Sequence, residues 1–367
     1  MQVRTCLHEI RKTRGVSAAD LARRSGVSRQ TIYAIEDGSF VPNTTVSLQL
    51  SRALDVTVEE IFSIGNEQAG PPIRAHLLSS GQPPSEGQLV QVCRVDERLV
   101  AVPTSFLPAY LPAADGVVES RTRQSVSIKS PAGSPEAGRR LLLAGCDPAL
   151  SLLSESLRSS NIEIVTVSCS SRSALQWLKQ GKVHAAGSHL LDRATGDYNL
   201  PIIRRLLPHA SVRVVTFAIW EQGLVVRHGN PKSIRSVADL ARKNVTLVNR
   251  EKGSGSRGLL DSGLRKLGIE AEQVRGYNSI AQGHLAAAYA VAAGTADCCI
   301  APRSASRCFG LDFVPLAVER FDLSFTQASL ELPAAKALLD LLNRSGLRRK
   351  LQCIAGYDTA HTGEVLV

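Results

Sequence analysis

Residues 17–38, SAADLARRSGVSRQTIYAIEDG, predict two short helices joined by a glycine turn. Ser17 is a favourable N-cap for the first helix, and Asp20 stands at the third helical position, where an acidic residue completes the cap. Gly26 supplies the left-handed conformation that ends the first helix. Ser28 then caps the second helix. The stretch therefore predicts a compact pair of capped helices.

The apolar residues of this pair recur at helical spacing and predict one inward face. That face comprises Leu21, Ala22, Val27 as the buried turn residue, Ile32 and Ile35. The second helix leaves Arg29, Gln30, Thr31, Tyr33 and Ala34 nearer to solvent. The N-terminus of such a helix can enter a DNA major groove, where Arg reads guanine and Gln reads adenine by bidentate hydrogen bonds. Taken alone, an ordinary helical hairpin is the alternative interpretation.

The flanking sequence favours the DNA-binding interpretation. Residues 3–14 predict a preceding helix, residues 44–54 a fourth helix after Pro42 and Asn43, and residues 58–62 a short fifth helix capped by Thr57. Residues 10–62, IRKTRGVSAADLARRSGVSRQTIYAIEDGSFVPNTTVSLQLSRALDVTVEEIF, resemble the XRE-type, lambda-repressor-like family of five-helix helix-turn-helix domains.

That resemblance implies a homodimer bound to a two-fold operator in double-stranded DNA. By position, Arg29, Gln30 and Ala34 fall where the family contacts bases, and Ser28, Tyr33 and Ser39 fall near phosphates. The predicted DNA-binding set is Ser17, Ser28, Arg29, Gln30, Thr31, Tyr33, Ala34 and Ser39. Ala18 departs from the family, because many members carry at this position a Gln that braces the base contacts and binds phosphate.

The composition describes a globular chain with aliphatic cores, at 367 residues, 44% hydrophobic and 4% aromatic. At about 150 residues per domain, this length allows two or three domains. No apolar run reaches the roughly 18 residues of a membrane helix, and the charged N-terminus lacks the apolar block of a secretion signal. We therefore expect a cytoplasmic protein without a membrane partner.

The formal net charge is +10, and almost all of the excess lies in residues 136–367, outside the predicted DNA-reading segment. This charge is either an ordinary solvated surface or a field that favours an anionic ligand or flanking DNA. The eight cysteines contain no CxxC pair and no nearby His at zinc spacing, which predicts buried reduced thiols and no metal site. They are Cys6, Cys93, Cys146, Cys169, Cys298, Cys299, Cys308 and Cys353.

Three parts are expected along the chain: a DNA-binding domain at 1–65, a linker with a small β unit at 66–137, and a ligand-sensing domain at 138–367. Residues 64–86 and 121–138 have the Gly, Pro and Ser density of linkers, and residues 88–118 alternate like short strands. We interpret the small β unit as a structural spacer.

From residue 139 the pattern alternates between strands and helices, which predicts parallel sheets with helices on their faces. The predicted strands are 139–145, 162–168, 183–190, 212–219, 245–249, 298–302 and 311–325. The predicted helices are 148–158, 172–179, 255–267 and 280–293. This length is sufficient for two lobes.

The sharpest motif is NREKGSGSRGLLDSGL, residues 249–264. Gly253, Gly255 and Gly258 match GxGxxG, but three polar residues separate them from the strand, which disfavours a dinucleotide fold, and the GK[ST] ending of a P-loop is absent. Small residues at a helix N-terminus, with Arg250 and Arg257 beside them, suit an oxyanion or carboxylate. A simple Gly/Ser turn with a helix cap is the alternative.

Further polar residues follow apolar strands, at the edge where open α/β sheets bind ligands. Cys146 and Asp147 follow the first of these strands, Ser171 or Ser173 caps the next helix, and His189 and Asp192 come later. Trp220, Gln222, Tyr277 and His284 complete the series. Each is weak alone, because a lone His is often structural and Trp220 is a natural core residue.

Together, AGCDPAL, AAGSHLLD, YNLP, WEQGLVVRHGNP, LVNREKGSGSRGLLD and GY resemble the periplasmic-binding-protein-like domain of molybdate-related bacterial regulators and molybdopterin biosynthesis proteins. The resemblance spans residues 139–325 and implies two lobes hinged by crossover strands around molybdate, tungstate or a related anion. A larger anion such as a pterin phosphate fits equally well. The predicted ligand-binding residues are Asp147, Ser171, His189, Trp220, Gln222, Asn249, Arg250, Gly253, Ser254, Gly255, Ser256, Arg257, Tyr277 and His284.

The predicted fold is multidomain, α plus α/β: an N-terminal five-helix lambda-repressor-like domain, a small β-rich linker unit and a C-terminal two-lobed type II periplasmic-binding-protein-like domain. The predicted function is a one-component bacterial transcription regulator that senses a small anion, without catalytic residues or a permanently bound cofactor. Two alternatives remain open. One is a molybdenum-cofactor enzyme with an autoregulatory DNA-binding domain, using Cys146 with Asp147 or His189 with Asp192. The other is a ligand-independent dimeric repressor.

Overall fold

The computed structural model describes residues 3–64, 73–78, 89–103, 114–122, 125–130, 138–160, 162–208, 211–352 and 356–367. Parts of the predicted linkers at 64–86 and 121–138, and Cys353, lie outside these ranges. Contacts divide the chain into two compact units, Met1–Gly70 and Pro71–Val367. The division into three parts therefore stays a prediction.

The N-terminal unit contains helices within residues 7–61, which are α1 (Leu7–Thr13), α2 (Ala18–Ser25), α3 (Arg29–Glu36), α4 (Thr44–Leu54) and α5 (Val58–Ile61). The prediction of one helix over 3–14 is wrong at its start. Strand β1 (Val3–Thr5) pairs antiparallel with β2 (Phe62–Ile64), because β-branched residues favour a strand when a partner is present. The same pairing ends α5 at Ile61 rather than Phe62.

Side-chain caps set the helix starts in this unit. The hydroxyls of Ser17, Ser28 and Thr57 accept backbone amides three residues ahead, as does the amide oxygen of Asn43. Gly26 ends α2 with φ 66, as its position predicts. Leu7, Leu21, Ile32, Ile35, Leu50 and Ile61 are fully buried in the core. Val27 packs against this core but is only partly buried, so its predicted burial is wrong in degree.

The second unit begins with a closed five-stranded barrel in the order β3-β5-β4-β6-β7. Its strands are β3 (Ile73–Leu77), β4 (Leu89–Val95), β5 (Arg98–Pro103), β6 (Gly116–Arg121) and β7 (Ser125–Lys129). Alternate residues such as Val90, Val92 and Ile128 fill one apolar cluster. Cys93 and Val100, which face the other way, belong to a cluster shared with the following sheet, so this barrel is packed onto its neighbour.

A six-stranded mixed sheet follows, in the order β14-β11-β15-β10-β8-β9. Its strands are β8 (Arg140–Gly145), β9 (Glu163–Ser168), β10 (Ala185–Ser188), β11 (Val212–Val226), β14 (Cys298–Pro302) and β15 (Asp312–Thr326). Only β8 pairs in parallel, with β9 and β10, whereas β11, β14 and β15 are antiparallel to their neighbours. In this sheet the prediction of parallel strands is correct for β8, β9 and β10 and wrong for β11, β14 and β15, because apolar runs reveal a buried strand and not its direction.

Helices cover this sheet. They are α6 (Leu150–Leu157), α7 (Ser171–Lys179), α8 (Leu200–Leu206), α9 (Gly255–Lys266), α10 (His284–Ala292), α11 (Arg303–Cys308), α12 (Gln327–Leu330), α13 (Pro333–Leu342) and α14 (Ser345–Lys350). Short 3-10 helices occupy Arg158–Ser160, Val237–Ala241 and Ala271–Gln273. None of these described helices combines the length and apolar character needed to span a membrane.

Three local predictions are corrected here. The helix predicted over 280–293 begins at His284, because residues 280–281 form β13 (Ile280–Ala281) and Gly283 turns with φ 91. β13 pairs with β12 (Asn249–Arg250). The strand predicted at 245–249 is therefore mostly irregular, and only its last residue belongs to β12. The cap of α7 is Ser170, whose Oγ accepts the amide of Ser173, and not Ser171 or Ser173.

Strands β11 and β15 pair over their full length. Along them, the apolar core of the sheet is divided into separate clusters. Apolar side chains on one side of the pairing surround β8 and β10, with Phe217 and Phe321 at the centre. Separate clusters surround β14, including Leu224, Leu260 and Val291.

Candidate functional site

Helix α3 presents the predicted base-contacting residues at the surface of the N-terminal unit. Arg29, Gln30 and Tyr33 are exposed and Ala34 is partly exposed. The guanidinium of Arg29 donates from Nη2 to the hydroxyl of Tyr33 at 3.0 Å. This face can reach a groove without rearrangement of the helix.

The other predicted DNA contacts are engaged in local structure. Ser17 Oγ accepts the Asp20 amide at 3.1 Å, and Ser28 Oγ accepts the Thr31 amide at 3.0 Å. Ser39 is exposed and donates from Oγ to the carbonyl oxygen of Ala34 at 3.2 Å. These hydroxyls fix the ends of the helices, which positions α3.

A buried ion pair ties α3 to α1. Arg11 Nε lies 2.6 Å from Glu36 Oε1, and His8 Nδ1 lies 3.0 Å from Glu36 Oε2. Burial alone would raise the pKa of Glu36, but its hydrogen bonds to Arg11 and His8 hold that pKa below its usual value. The carboxylate therefore stays charged, and the pair holds α3 against the core.

Three potential metal ligands meet in the second unit. Cys146 follows β8, His189 follows β10 and His284 begins α10. One ligand atom from each lies within 4.8 Å of the others, and all three residues are buried. Sequence spacing does not reveal this cluster, because its members follow three separate elements.

The predicted burial of the cysteines is only partly correct. Among the described residues, Cys6 and Cys308 are exposed, and the remaining thiols are buried. Burial raises the pKa of Cys93 and of Cys299 to about 12, which keeps both thiols protonated. These two residues therefore act as small apolar side chains.

His189 is held by a carboxylate. Its Nδ1 lies 2.6 Å from Glu319 Oε2, and its ring stands 5.1 Å from that of Trp220. Burial lowers the pKa of His189, but the electrostatic interactions and hydrogen bonds with Cys146 and Glu319 outweigh burial and raise the pKa to about 10. The pairing of His189 with Asp192, considered from sequence, is wrong, because Asp192 instead accepts from Thr195 and Ala194.

His284 is buried without hydrogen bonds. It is 1% exposed, and neither ring nitrogen has a partner among the described residues. Burial lowers its pKa well below the usual value, and the positive charges of Arg250 and His189 lower it further. His284 is therefore a neutral imidazole, and its unprotonated ring nitrogen has a lone pair available for a ligand.

Three N–H donors in the same region also have no partner among the described residues. They belong to Arg250 Nη1, Trp220 Nε1 and Gln222 Nε2. The remaining guanidinium nitrogens of Arg250 donate to Glu251 at 2.8 Å, and Gln222 Oε1 accepts from Ser256 Oγ at 3.3 Å. Buried donors without acceptors are rare in native proteins and favour an acceptor-rich ligand.

The predicted glycine-rich turn packs closely against His189. A Cβ at Gly255 would overlap the His189 ring and its backbone oxygen, so only glycine fits there. Ser254 caps α9, with Oγ accepting the Arg257 amide at 3.3 Å and donating to the Glu251 carbonyl at 2.9 Å. The backbone amide of Arg172, in the first turn of α7, donates to the carbonyl of Gly253, just before α9, at 3.4 Å. This hydrogen bond brings the N-terminal ends of α7 and α9 together.

Other predicted ligand residues contact one another. The Arg257 guanidinium lies 4.5 Å from the Tyr277 ring centre, and the Tyr277 hydroxyl donates to Asp261 at 2.9 Å. Asn249 Nδ2 donates to the Tyr277 carbonyl at 3.0 Å. These contacts hold α9 in place through Arg257 and Asp261.

Asp147 and Ser171 support the loops beside Cys146 and His189. Asp147 Oδ1 accepts from the Tyr357 hydroxyl at 2.5 Å, and burial raises the pKa of Asp147 to about 6. Ser171 Oγ accepts the His189 amide at 3.2 Å. Asp147 and Ser171 thus help to position the backbone at Cys146 and at His189.

Sequence analysis missed Glu319, Glu251 and Tyr357. Glu319 interrupts the apolar run LAVERFDL within β15, and a charge in a buried strand is the signal that would have singled it out. Glu251 lies within the noted motif, beside its partner Arg250. Tyr357 lies far along the chain, and no pattern links it to Asp147.

Each of the two units matches a known protein family. Residues 154–343 match the family described as PBP superfamily domain, and residues 7–61 match the family described as Helix-turn-helix. The chain is 34% identical over 234 residues to the uncharacterized protein YvgK of Bacillus subtilis (strain 168), covering 64% of this chain and 75% of that protein. It is 38% identical over 68 residues to an uncharacterized HTH-type transcriptional regulator of Methanothermobacter thermautotrophicus, covering 18% of this chain and 99% of that protein.

Among solved structures, the sulfate-binding protein SubI from Mycobacterium tuberculosis H37Rv is similar, with a TM-score of 0.45 and 19% identity over 59% of this chain and 86% of that chain. The family matches agree with the mixed α/β sheet of the second unit and the exposed α3 of the first. The chain therefore belongs to the PBP superfamily through residues 154–343, and it carries an XRE-type helix-turn-helix domain at residues 7–61.

Proposed function

We propose that this protein is a cytoplasmic one-component transcription regulator that binds operator DNA through α3 and a small anion in the second unit. The observation that carries the proposal is the presence, in one chain, of an exposed helix-turn-helix face and of buried N–H donors without acceptors. The anion is molybdate, tungstate or a related anion of the molybdenum cofactor. The second unit binds this effector without turning it over.

The donors support an anion as the effector. Arg250, Trp220 and Gln222 each offer a buried N–H that would lose free energy if it stayed unpaired. An oxyanion supplies several acceptor oxygens at once. The converging N-terminal ends of α7 and α9 add partial positive charge to this region.

A regulator must also transmit the binding event. We propose two lobes, one around β8 to β10 and one around β14, that close around the anion across β11 and β15. In a homodimer, this closure changes the spacing of the two DNA-binding units. Because operator half-sites lie about one helical turn apart, a small change in spacing alters the affinity for DNA.

Calorimetric titration of the full chain with molybdate, tungstate, sulfate and phosphate tests the effector. We expect one of these anions to bind and the isosteric Gln222→Glu variant to bind at least about 10-fold more weakly, because a carboxylate repels the anion where the amide donated. Trp220→Phe removes one donor and keeps most of the ring packing. Trp177→Phe, at a partly buried position of α7, serves as the matched control and should bind like wild type.

The same samples are then tested for binding to an operator selected from random double-stranded DNA. The bound anion should change that affinity in wild type, and sedimentation should give a dimer. No heat with any of the anions, from a folded chain, removes the anion from the proposal. Equal binding by wild type and Gln222→Glu removes this location.

A further inference from the structure

We propose that Cys146, His189 and His284 bind one borderline-soft divalent transition metal ion of the Zn²⁺ class. The thiol sulfur and the two imidazole nitrogens lie within 4.8 Å of one another, and all three residues are buried. A thiolate with two imidazoles is a donor set that Zn²⁺ and similar ions prefer over the oxygen-seeking Mg²⁺ or Ca²⁺.

The unpartnered nitrogens of His284 are the second observation. A buried imidazole in a protein interior normally donates and accepts at least one hydrogen bond. Among the residues that the structure describes, the His284 ring has no hydrogen-bond partner, although it is 1% exposed and lies beside His189, with ring centres 5.7 Å apart. A metal ion would bind the unprotonated ring nitrogen of His284, which carries the lone pair of the neutral imidazole.

Glu319 completes the arrangement expected around a metal-binding histidine. Metal-binding histidines commonly donate their second ring N–H to a carboxylate, which fixes the tautomer and the ring orientation. Glu319 Oε2 lies 2.6 Å from His189 Nδ1, which leaves Nε2 directed away from it. Glu319 is therefore a positioning residue, and the metal would replace the proton on Nε2.

Buried carboxyl groups adjoin the proposed metal site. Buried Glu319 and Asp147 flank the cluster, and Glu251 neutralises Arg250 through two hydrogen bonds. The Cys146 thiol becomes a thiolate on binding, with the proton released to solvent, so the ligand set itself supplies a negative charge to the ion. Three protein ligands leave a fourth position open, as in zinc sites that accept a further ligand.

The three ligands come from both sides of the divided core. Cys146 belongs to the cluster around β8, and α10, which His284 begins, packs in the cluster around β14. An ion bound to all three would hold the two sides together. This proposal does not depend on the anion proposed above, because the metal ligands and the Arg250, Trp220 and Gln222 donors are different side chains.

Cobalt substitution in the full-length protein tests the site. The protein is stripped with a chelator, exchanged into reducing chelator-free buffer and titrated with Co²⁺ alone. We expect one equivalent per chain to produce a thiolate-to-cobalt charge-transfer band with visible bands of a tetrahedral ion, and Zn²⁺ to abolish them. Cys146→Ala should lose the charge-transfer band, whereas Cys298→Ala, a buried thiol outside the cluster, and Cys308→Ala, an exposed one, should keep it.

Two further variants separate ligation from folding. His284→Ala should lose the visible bands of the tetrahedral ion, and Glu319→Gln should weaken the affinity for Zn²⁺ by about 10–100-fold while keeping the spectrum. Circular dichroism checks that each variant is folded. A folded wild type without a saturable band overturns the proposal, as does a band that survives in both Cys146→Ala and His284→Ala. Anion titrations of the chelated protein are scored separately, so either proposal can fail alone.

Discussion

His184 shows how one buried side chain makes stability depend on pH. It is 2% exposed, and its Nδ1 accepts the backbone amide of Leu142 at 2.8 Å. Burial lowers its pKa to about 4 from an ordinary value of 6.5. The native protein therefore keeps the ring neutral, whereas the unfolded chain protonates it at mildly acidic pH.

The sign follows from this difference. Between pH 6.5 and 4 the unfolded state binds more protons, so stability present above pH 6.5 is lost as the pH falls. We expect the residue to cost about 2 kcal/mol of the free energy of unfolding on going from pH 7.5 to pH 5. His184→Asn, whose amide oxygen can accept the Leu142 amide without titrating, should remove that part of the pH dependence in urea unfolding experiments. An unchanged pH dependence in His184→Asn would contradict this role.

The role of a single residue can be predicted from the sequence when that residue acts on its near neighbours along the chain. Ser17, Ser28 and Gly26 act within three positions of themselves, so their roles are readable from spacing. Glu319 acts on His189 from a distant strand, and its charge within the apolar run of β15 signals a special role without indicating the partner. The placement of His189, Trp220 and His284 in one cluster follows from the fold rather than from any motif.

At the scale of elements, α3 is the one most directly tied to a function. Its start is fixed by the Ser28 cap and its inner face by Ile32 and Ile35, both fully buried. The Arg11–Glu36 pair holds its C-terminal end. The exposed Arg29 and Gln30 are thus carried on a rigid support, as recognition of base edges requires.

Arg29→Ala and Gln30→Ala should each lose about 1–3 kcal/mol of binding free energy at one base pair of a selected operator. The loss should be much smaller on random DNA, because base contacts and not phosphate contacts are removed. Gln49→Ala, exposed on α4, is the control. Fluorescence anisotropy with operator and random duplexes measures the difference. An equal loss on both duplexes would assign these residues to the phosphate backbone instead.

Elements whose signals are local were predicted well, and those set by pairing were not. The capped helices α2 to α4 were located from sequence, as were the buried strands β8, β9 and β14. Residues 3–5 and 280–281 were assigned to helices, although each forms a strand with a partner elsewhere in the sequence. The direction of β11 and β15 likewise depends on their mutual pairing.

At the scale of the whole molecule, the barrel belongs physically to the sheet that follows it. Val95, Val100 and Val102 of the barrel share a cluster with Leu142 and Val165 of the sheet. Arg140 donates to Asp115 Oδ2 and to the Val92 carbonyl, each at 2.6 Å. The interpretation of the β unit as a spacer is therefore incomplete.

This packing predicts how fragments behave. A fragment of residues 71–367 should unfold cooperatively in urea, whereas a fragment of residues 139–367 should expose the apolar face of β8 and bind a hydrophobic dye. The matched comparison uses both fragments at the same concentration, with circular dichroism and dye fluorescence as readouts. Equal stability of the two fragments would show that the barrel contributes nothing to the sheet.

Strand β8 has a further consequence for signalling. Arg140, at its first residue, grips the barrel, and Cys146 follows its last residue at the proposed metal site. A six-residue strand spans about 20 Å and resists compression because its neighbours on both sides hold its register. If ligand binding moves Cys146, β8 would carry that movement to the barrel as a shift of the backbone rather than as a change of charge.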